Sequence, residues 1–179
     1  MASAGLALGT GDLLGAPISV SQRKAAADKV KIAYVGIGNR GEQIIGDFAR
    51  TGMVEVVALC DVDMGAPHTQ KVMNMYPKAK RFRDFRQMFD KAGNDFDAVA
   101  IATPDHSHFP ITMLALASGK HVYVEKPLAR TFYEAELLMQ AALKRPNLVT
   151  QVGNQGHSEA NYFQFKAWMD AGIIKDVTA

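Results

Sequence analysis

Six consecutive residues, Gly36-Ile37-Gly38-Asn39-Arg40-Gly41, have the types and spacing to hold a diphosphate. In such a G-x-G-x-x-G turn, Gly36 permits a tight passage from strand to helix. Gly38 leaves the backbone bare, so that a pyrophosphate can come close, and Gly41 lets the helix pack against its strand. The N–H groups and positive dipole end of that helix, with Asn39 and Arg40 at its start, then face the phosphates. A carboxylate, Asp61, stands 20 residues beyond Gly41, at the end of the apolar run VEVVALCDVD over 54–63. At that spacing it accepts hydrogen bonds from both ribose hydroxyls of an adenosine and repels a 2′-phosphate, which favours NAD over NADP. Each feature has a plainer reading: a glycine-rich turn that binds nothing, and an aspartate that ends a strand. Their joint spacing favours a dinucleotide site.

These groups need a strand before the turn and a helix after it. Val30 to Val35 alternates β-branched residues in the manner of a buried parallel strand, and Ile44, Ile45 and Phe48 continue as a helix beyond the turn. The pattern then repeats. Strands are expected over 54–61, 96–102, 121–124 and 148–152. Helices are expected over 70–76, 84–92, 109–118, 132–144 and 160–171, several of them stopped by Gly or Pro. Alternation of this kind predicts an α/β fold, a Rossmann-type doubly wound parallel sheet with helices on both faces. The chain has 179 residues, 48% hydrophobic and 21% charged, enough for one domain with a substantial core. A formal charge of +2 without a basic stripe argues against nucleic acid. The single cysteine, Cys60, lies in the second apolar run and reads as a small core hydrophobe, with no disulfide partner and no ligand spacing for a metal.

Three further stretches each follow an expected strand, at the carboxyl edge where open α/β sheets bind ligands: Thr103-Pro104-Asp105-His106-Ser107-His108, Glu125-Lys126-Pro127-Leu128, and Gln151-Val152-Gly153-Asn154-Gln155. With the glycine turn and the CDVD segment, they resemble the Gfo/Idh/MocA oxidoreductase family, named for glucose–fructose oxidoreductase and inositol dehydrogenase. The resemblance covers roughly residues 30 to 179. It implies that Thr103 and Pro104 line the cofactor. His108 matches the family histidine, either as a cofactor contact or as a helix-start residue packed under the sheet edge. Asp105 stands where the family usually has Asn, and His106 reads as a partly exposed loop histidine.

The same resemblance puts Lys126 beside the nicotinamide C4 and the substrate carbon that loses hydride. The resemblance implies that a lysine there helps remove the substrate hydroxyl proton, while its ammonium form stabilises negative charge on oxygen. Glu125 is implied as a cofactor-side acid that touches the nicotinamide ribose or orients the lysine. Pro127 is a candidate for a cis bond that aims Lys126 inward. Asn154 and Gln155 are candidates to hydrogen-bond the carboxamide or a sugar hydroxyl, and His157 is equally well a helix cap.

The expected activity is NAD-dependent hydride transfer from a secondary alcohol of a sugar, cyclitol or glycoside. The alternatives are an NAD-dependent glycosidase that oxidises C3 transiently, and an NAD-binding module without turnover. The expected domains are a dinucleotide-binding unit over 30–172 and the start of a substrate domain over 173–179, whose remainder lies outside this chain. Family members associate largely through that second domain, which implies a homo-oligomer at full length. Residues 1–29 read as a separate segment, of which Met1 to Val20 is short and glycine-rich for a membrane span and 21–29 a polar linker. It is either the remnant of an export signal resembling the twin-arginine type, for a periplasmic protein, or a disordered tail with a polar linker, for a cytoplasmic one.

Overall fold

The computed structural model describes residues 29–177, so the reading of the N-terminal segment falls outside the described residues. The sheet has six strands, β1 (Val30–Val35), β2 (Val54–Cys60), β3 (Lys80–Phe82), β4 (Ala98–Ile101), β5 (His121–Glu125) and β6 (Thr150–Gly153). All neighbours are parallel, in the order β3-β2-β1-β4-β5-β6. The helices are α1 (Arg40–Arg50), α2 (Pro67–Met75), α3 (Phe85–Ala92), α4 (His108–Ala117), α5 (Phe132–Leu143) and α6 (Ala160–Asp170). This is the expected doubly wound arrangement, and its strand order reverses between β1 and β4.

Strand alternation sorts the core into two layers. Ala33, Val35, Ala58, Cys60, Val99, Ile101, Val122 and Val124 point to one face, where α3, α4 and α5 bring Met88, Ile111, Leu116 and Leu138. Ile32, Tyr34, Leu59 and Ala100 point to the other, where α1 and α2 bring Ile44, Ile45, Val72 and Met73. Because both faces are covered, the strands read as near-continuous apolar runs rather than clean alternations.

Three sequence expectations require correction. The described residues form six strands where five were expected. β3 escaped notice because Lys80-Arg81-Phe82 is short and at the sheet edge, with two exposed basic residues. β2 ends at Cys60, so Asp61 is the first residue off the strand rather than part of it. α2 begins at Pro67 instead of residue 70, since proline's fixed φ and missing N–H suit the first helical position. The helix expected over 160–171 is present, yet none of its residues is buried, and Phe163, Phe165 and Trp168 are exposed. Among the described residues, no helix is long and apolar enough to cross a membrane.

Candidate functional site

A cleft of about 860 Å³ opens at the carboxyl ends of β1, β2 and β4, the point at which the strand order reverses. Backbone hydrogen bonds converge there. Gly36 N–H donates to the Cys60 carbonyl at 2.8 Å, and Ala102 N–H donates to the Val35 carbonyl at 2.8 Å. The walls include Gly36, Gly38, Asn39, Arg40, Asp61, Thr103 and Pro104, all singled out from sequence.

The turn has the geometry that its glycines require. Gly36 adopts φ +81°, and a Cβ there would fall 2.6 Å from the Ala102 carbonyl oxygen. A Cβ on Gly41 would run into the Gly36 carbonyl, so only glycine lets α1 start this close to the strand end. Asn39 holds φ 47° with ψ −103°, a positive-φ conformation that residues with a side chain rarely adopt. Among the described residues, the N–H groups of Gly38, Asn39 and Arg40 have no partner and remain available to an anion at the start of α1. Asp61 is anchored on both oxygens: Oδ2 accepts from Ile37 N–H at 3.0 Å and Oδ1 from Asp63 N–H at 3.0 Å. A carboxylate oxygen accepts more than one hydrogen bond, so this anchoring aims Asp61 at the cleft without exhausting it. The buried Thr103 hydroxyl oxygen has no partner among the described residues, an orphan of the kind a ligand satisfies. These features fit a dinucleotide.

The residues of the other two stretches lie beside the cleft rather than in its wall. Glu125, the last residue of β5, is 4% exposed. Its Oε1 accepts from Arg40 Nε at 3.2 Å, Arg40 Nη2 at 3.1 Å, the Tyr123 hydroxyl at 3.1 Å and Gln155 Nε2 at 2.6 Å. Burial, ahead of these hydrogen bonds and charges, raises the Tyr123 pKa. Lys126 follows directly; it is exposed, and its peptide bond to Pro127 is cis. His108 is 1% exposed and faces the Pro127 carbonyl through Nδ1 at 2.6 Å and the Thr103 carbonyl through Nε2 at 2.8 Å. His108 thereby joins the two loops under the sheet edge. Gln155 likewise turns its amide toward Glu125 and Tyr123, and His106 is an exposed part of the cleft wall.

Sequence reasoning missed His68, Arg83, Arg86 and Tyr123. The His68 imidazole lies against Gly38, where a Cβ on that glycine would strike it, and lines the cleft. Pro67 at the start of α2 was the available signal, since it puts His68 in the first turn at the sheet's carboxyl edge. Arg83 fastens the loop after β2, donating to the carbonyls of Val62 at 3.1 Å and Met64 at 2.6 Å. Tyr123 sits two residues before Glu125 on the same strand, hence on the same face.

The strand order and the glycine cleft define a dinucleotide-binding domain of the Rossmann class. The family model described as "Oxidoreductase family, NAD-binding Rossmann fold" matches residues 30–153, and the chain belongs to this Gfo/Idh/MocA family. It is similar to the inositol 2-dehydrogenase of Salmonella typhimurium, 31% identical over 147 residues that span 81% of this chain and 43% of that protein. It is also similar to glycosyl hydrolase family 109 protein 2 of Shewanella sp. (strain ANA-3), 28% identical over 169 residues, 79% of this chain and 37% of that protein. Among solved structures, scyllo-inositol dehydrogenase from Lactobacillus casei with bound NAD(H) and scyllo-inositol superimposes with a TM-score of 0.71 at 29% identity. That match covers 84% of this chain and 44% of the neighbour. The chain thus spans less than half the length of these relatives.

Proposed function

We propose that this chain is the cofactor-binding portion of an NAD-dependent oxidoreductase that moves a hydride between a secondary alcohol of a sugar, cyclitol or glycoside and the nicotinamide. The observation that carries the reading is the position of Lys126, in an E-K-P loop at the carboxyl end of β5 in a chain of this family. Its neighbour Glu125 is tied to the glycine turn by Arg40, and the Pro127 carbonyl is met by His108. Bound nicotinamide supplies the hydride acceptor. The chain's own residues hold and orient. The free N–H groups of the turn take the diphosphate, Asp61 takes the adenosine ribose and disfavours a 2′-phosphate, and Thr103 and Pro104 line the nicotinamide half. Lys126 receives the substrate hydroxyl proton as general base. A small polyol is the proposed substrate, on the strength of the inositol dehydrogenase relatives.

The test is calorimetric titration of the natural full-length protein with NAD⁺ and NADP⁺, followed by NADH formation with inositols. Preference for NAD⁺, with turnover lost by about a hundredfold or more in Lys126→Ala while NAD⁺ still binds, supports the reading. Equal affinity for both nucleotides, or full turnover in Lys126→Ala, would defeat it. The glycosyl hydrolase relatives favour a second reading, a glycosidase working through transient oxidation. Release of the aryl group from a chromogenic aryl glycoside, dependent on NAD⁺ but without net NADH, would select it.

A further inference from the structure

Arg40 belongs to the glycine turn, yet its side chain is spent on the protein. Nε and Nη2 lie on Glu125 Oε1, and Nη1 donates to Gln43 Oε1 at 2.9 Å. Glu125, 85 residues away in sequence, is almost fully enclosed. A carboxylate that deep keeps its charge only where donors replace water. Its donors come from three places, the start of α1, the middle of β5 and the turn after β6, and all of them converge on Oε1. Oε2 has no donor among the described residues. Gly153 closes the arrangement, because a Cβ there would stand 2.5 Å from the Tyr123 hydroxyl and 2.7 Å from Glu125 Oε1.

We propose that Arg40 is a positioning residue and not a phosphate ligand: through Glu125 it locks the E-K-P loop to the glycine turn, so that the diphosphate seat and the nicotinamide end form one unit. The fork geometry explains the residue type. A guanidinium bridges Glu125 and Gln43 at once, whereas a lysine ammonium is a point charge on a flexible stem. With Oε1 saturated, Glu125 is fixed with Oε2 free for the cofactor. The inference rests on the NAD-dependent reading above.

The two roles separate on a ligand that fills only half of the seat. ADP reaches the diphosphate turn and NAD⁺ reaches both ends, so each is titrated into the natural full-length protein and its Arg40→Gln, Glu125→Gln and double variants. For Arg40→Gln we expect ADP affinity within about twofold of the parent and NAD⁺ affinity about tenfold weaker. In the Glu125→Gln background, Arg40→Gln should add less than about twofold, because its effect runs through that carboxylate. Arg40→Lys should recover part of the NAD⁺ affinity, and it carries the comparison if the Gln variant does not melt cooperatively. Equal loss of ADP and NAD⁺ affinity would make Arg40 a phosphate ligand and overturn the proposal. So would unchanged NAD⁺ affinity, or losses that simply add in the double variant. If the parent binds neither nucleotide, it is the NAD-dependent reading that fails, and this inference with it.

Discussion

Tyr34 is 1% exposed in the layer under α1 and α2, and its hydroxyl has no partner among the described residues. Burial pushes its pKa up, with Tyr76 adding to the effect. An unpaired buried hydroxyl costs stability, so Tyr34→Phe, which keeps the edge-on contact with Phe48, should stabilise by about 1 kcal/mol in denaturant unfolding. A loss of stability would mean that the hydroxyl is satisfied. Cys60 offers a pH test. Burial first, then the charges of Asp61 and Asp84, raise its thiol from 9.0 to about 12. The folded value lies above the unfolded one, so this contribution is complete below pH 9.0 and lost as pH rises toward about 12. Melting temperature should therefore fall steadily above about pH 9, and Cys60→Ala should start lower but fall less steeply. An identical slope in the variant would remove Cys60 as the cause. At this scale the sequence was legible wherever a residue's role depends on near neighbours. Gly36, Gly41 and Asp61 act within one βαβ unit, whereas the partners of His108 and Arg40 are set by how distant loops meet.

Elements with a strong period and a stop signal were the easiest to foresee. The start of α5 is set by a capping box: Thr131 Oγ1 accepts from Glu134 N–H at 3.2 Å, and Glu134 Oε2 accepts from Thr131 N–H at 3.2 Å. Glu134 also accepts from Arg130 N–H at 3.0 Å, which fixes where the loop after Pro127 enters the helix. Thr131→Ala should cost about 1 kcal/mol, and Glu134→Ala on top of it should cost less than it does alone. Full additivity in equilibrium unfolding would show that the two are not reciprocal. β3 and the start of α2 were harder. A three-residue edge strand carries no period, and the Pro67 signal was outweighed by a weak apolar pattern that becomes regular only around residue 70.

The whole molecule is a two-faced sheet whose helices are unequally committed. α1 to α5 each bury residues, while α6 buries none. Phe165→Ser and Trp168→Ser in the 179-residue chain should each stay within about 0.5 kcal/mol of the parent, because side chains outside the core contribute little. A cooperative loss of several kcal/mol would place α6 in the folding unit. The doubly wound parallel sheet and a site at its carboxyl edge were foreseeable from alternating elements, but the bridge between residues 40 and 125 was not, since no local pattern encodes a contact across 85 residues. Strand order also dictates a history. β1 is made first yet lies in the middle of the sheet, and Lys31 must wait for Asp97, 66 residues later, to cover its second side. At roughly 5–20 residues per second, a ribosome leaves that edge open for several seconds after β2 is available. We predict that in hydrogen-exchange pulse labelling of ribosome-bound chains of increasing length the Gly36 amide, bonded to β2, gains protection before the Ala102 amide that closes β4 onto β1; simultaneous protection would refute the order. In that interval a parallel, apolar strand edge stands ready to pair with the wrong chain, so the central position that shields β1 in the finished protein makes it the most vulnerable strand during synthesis.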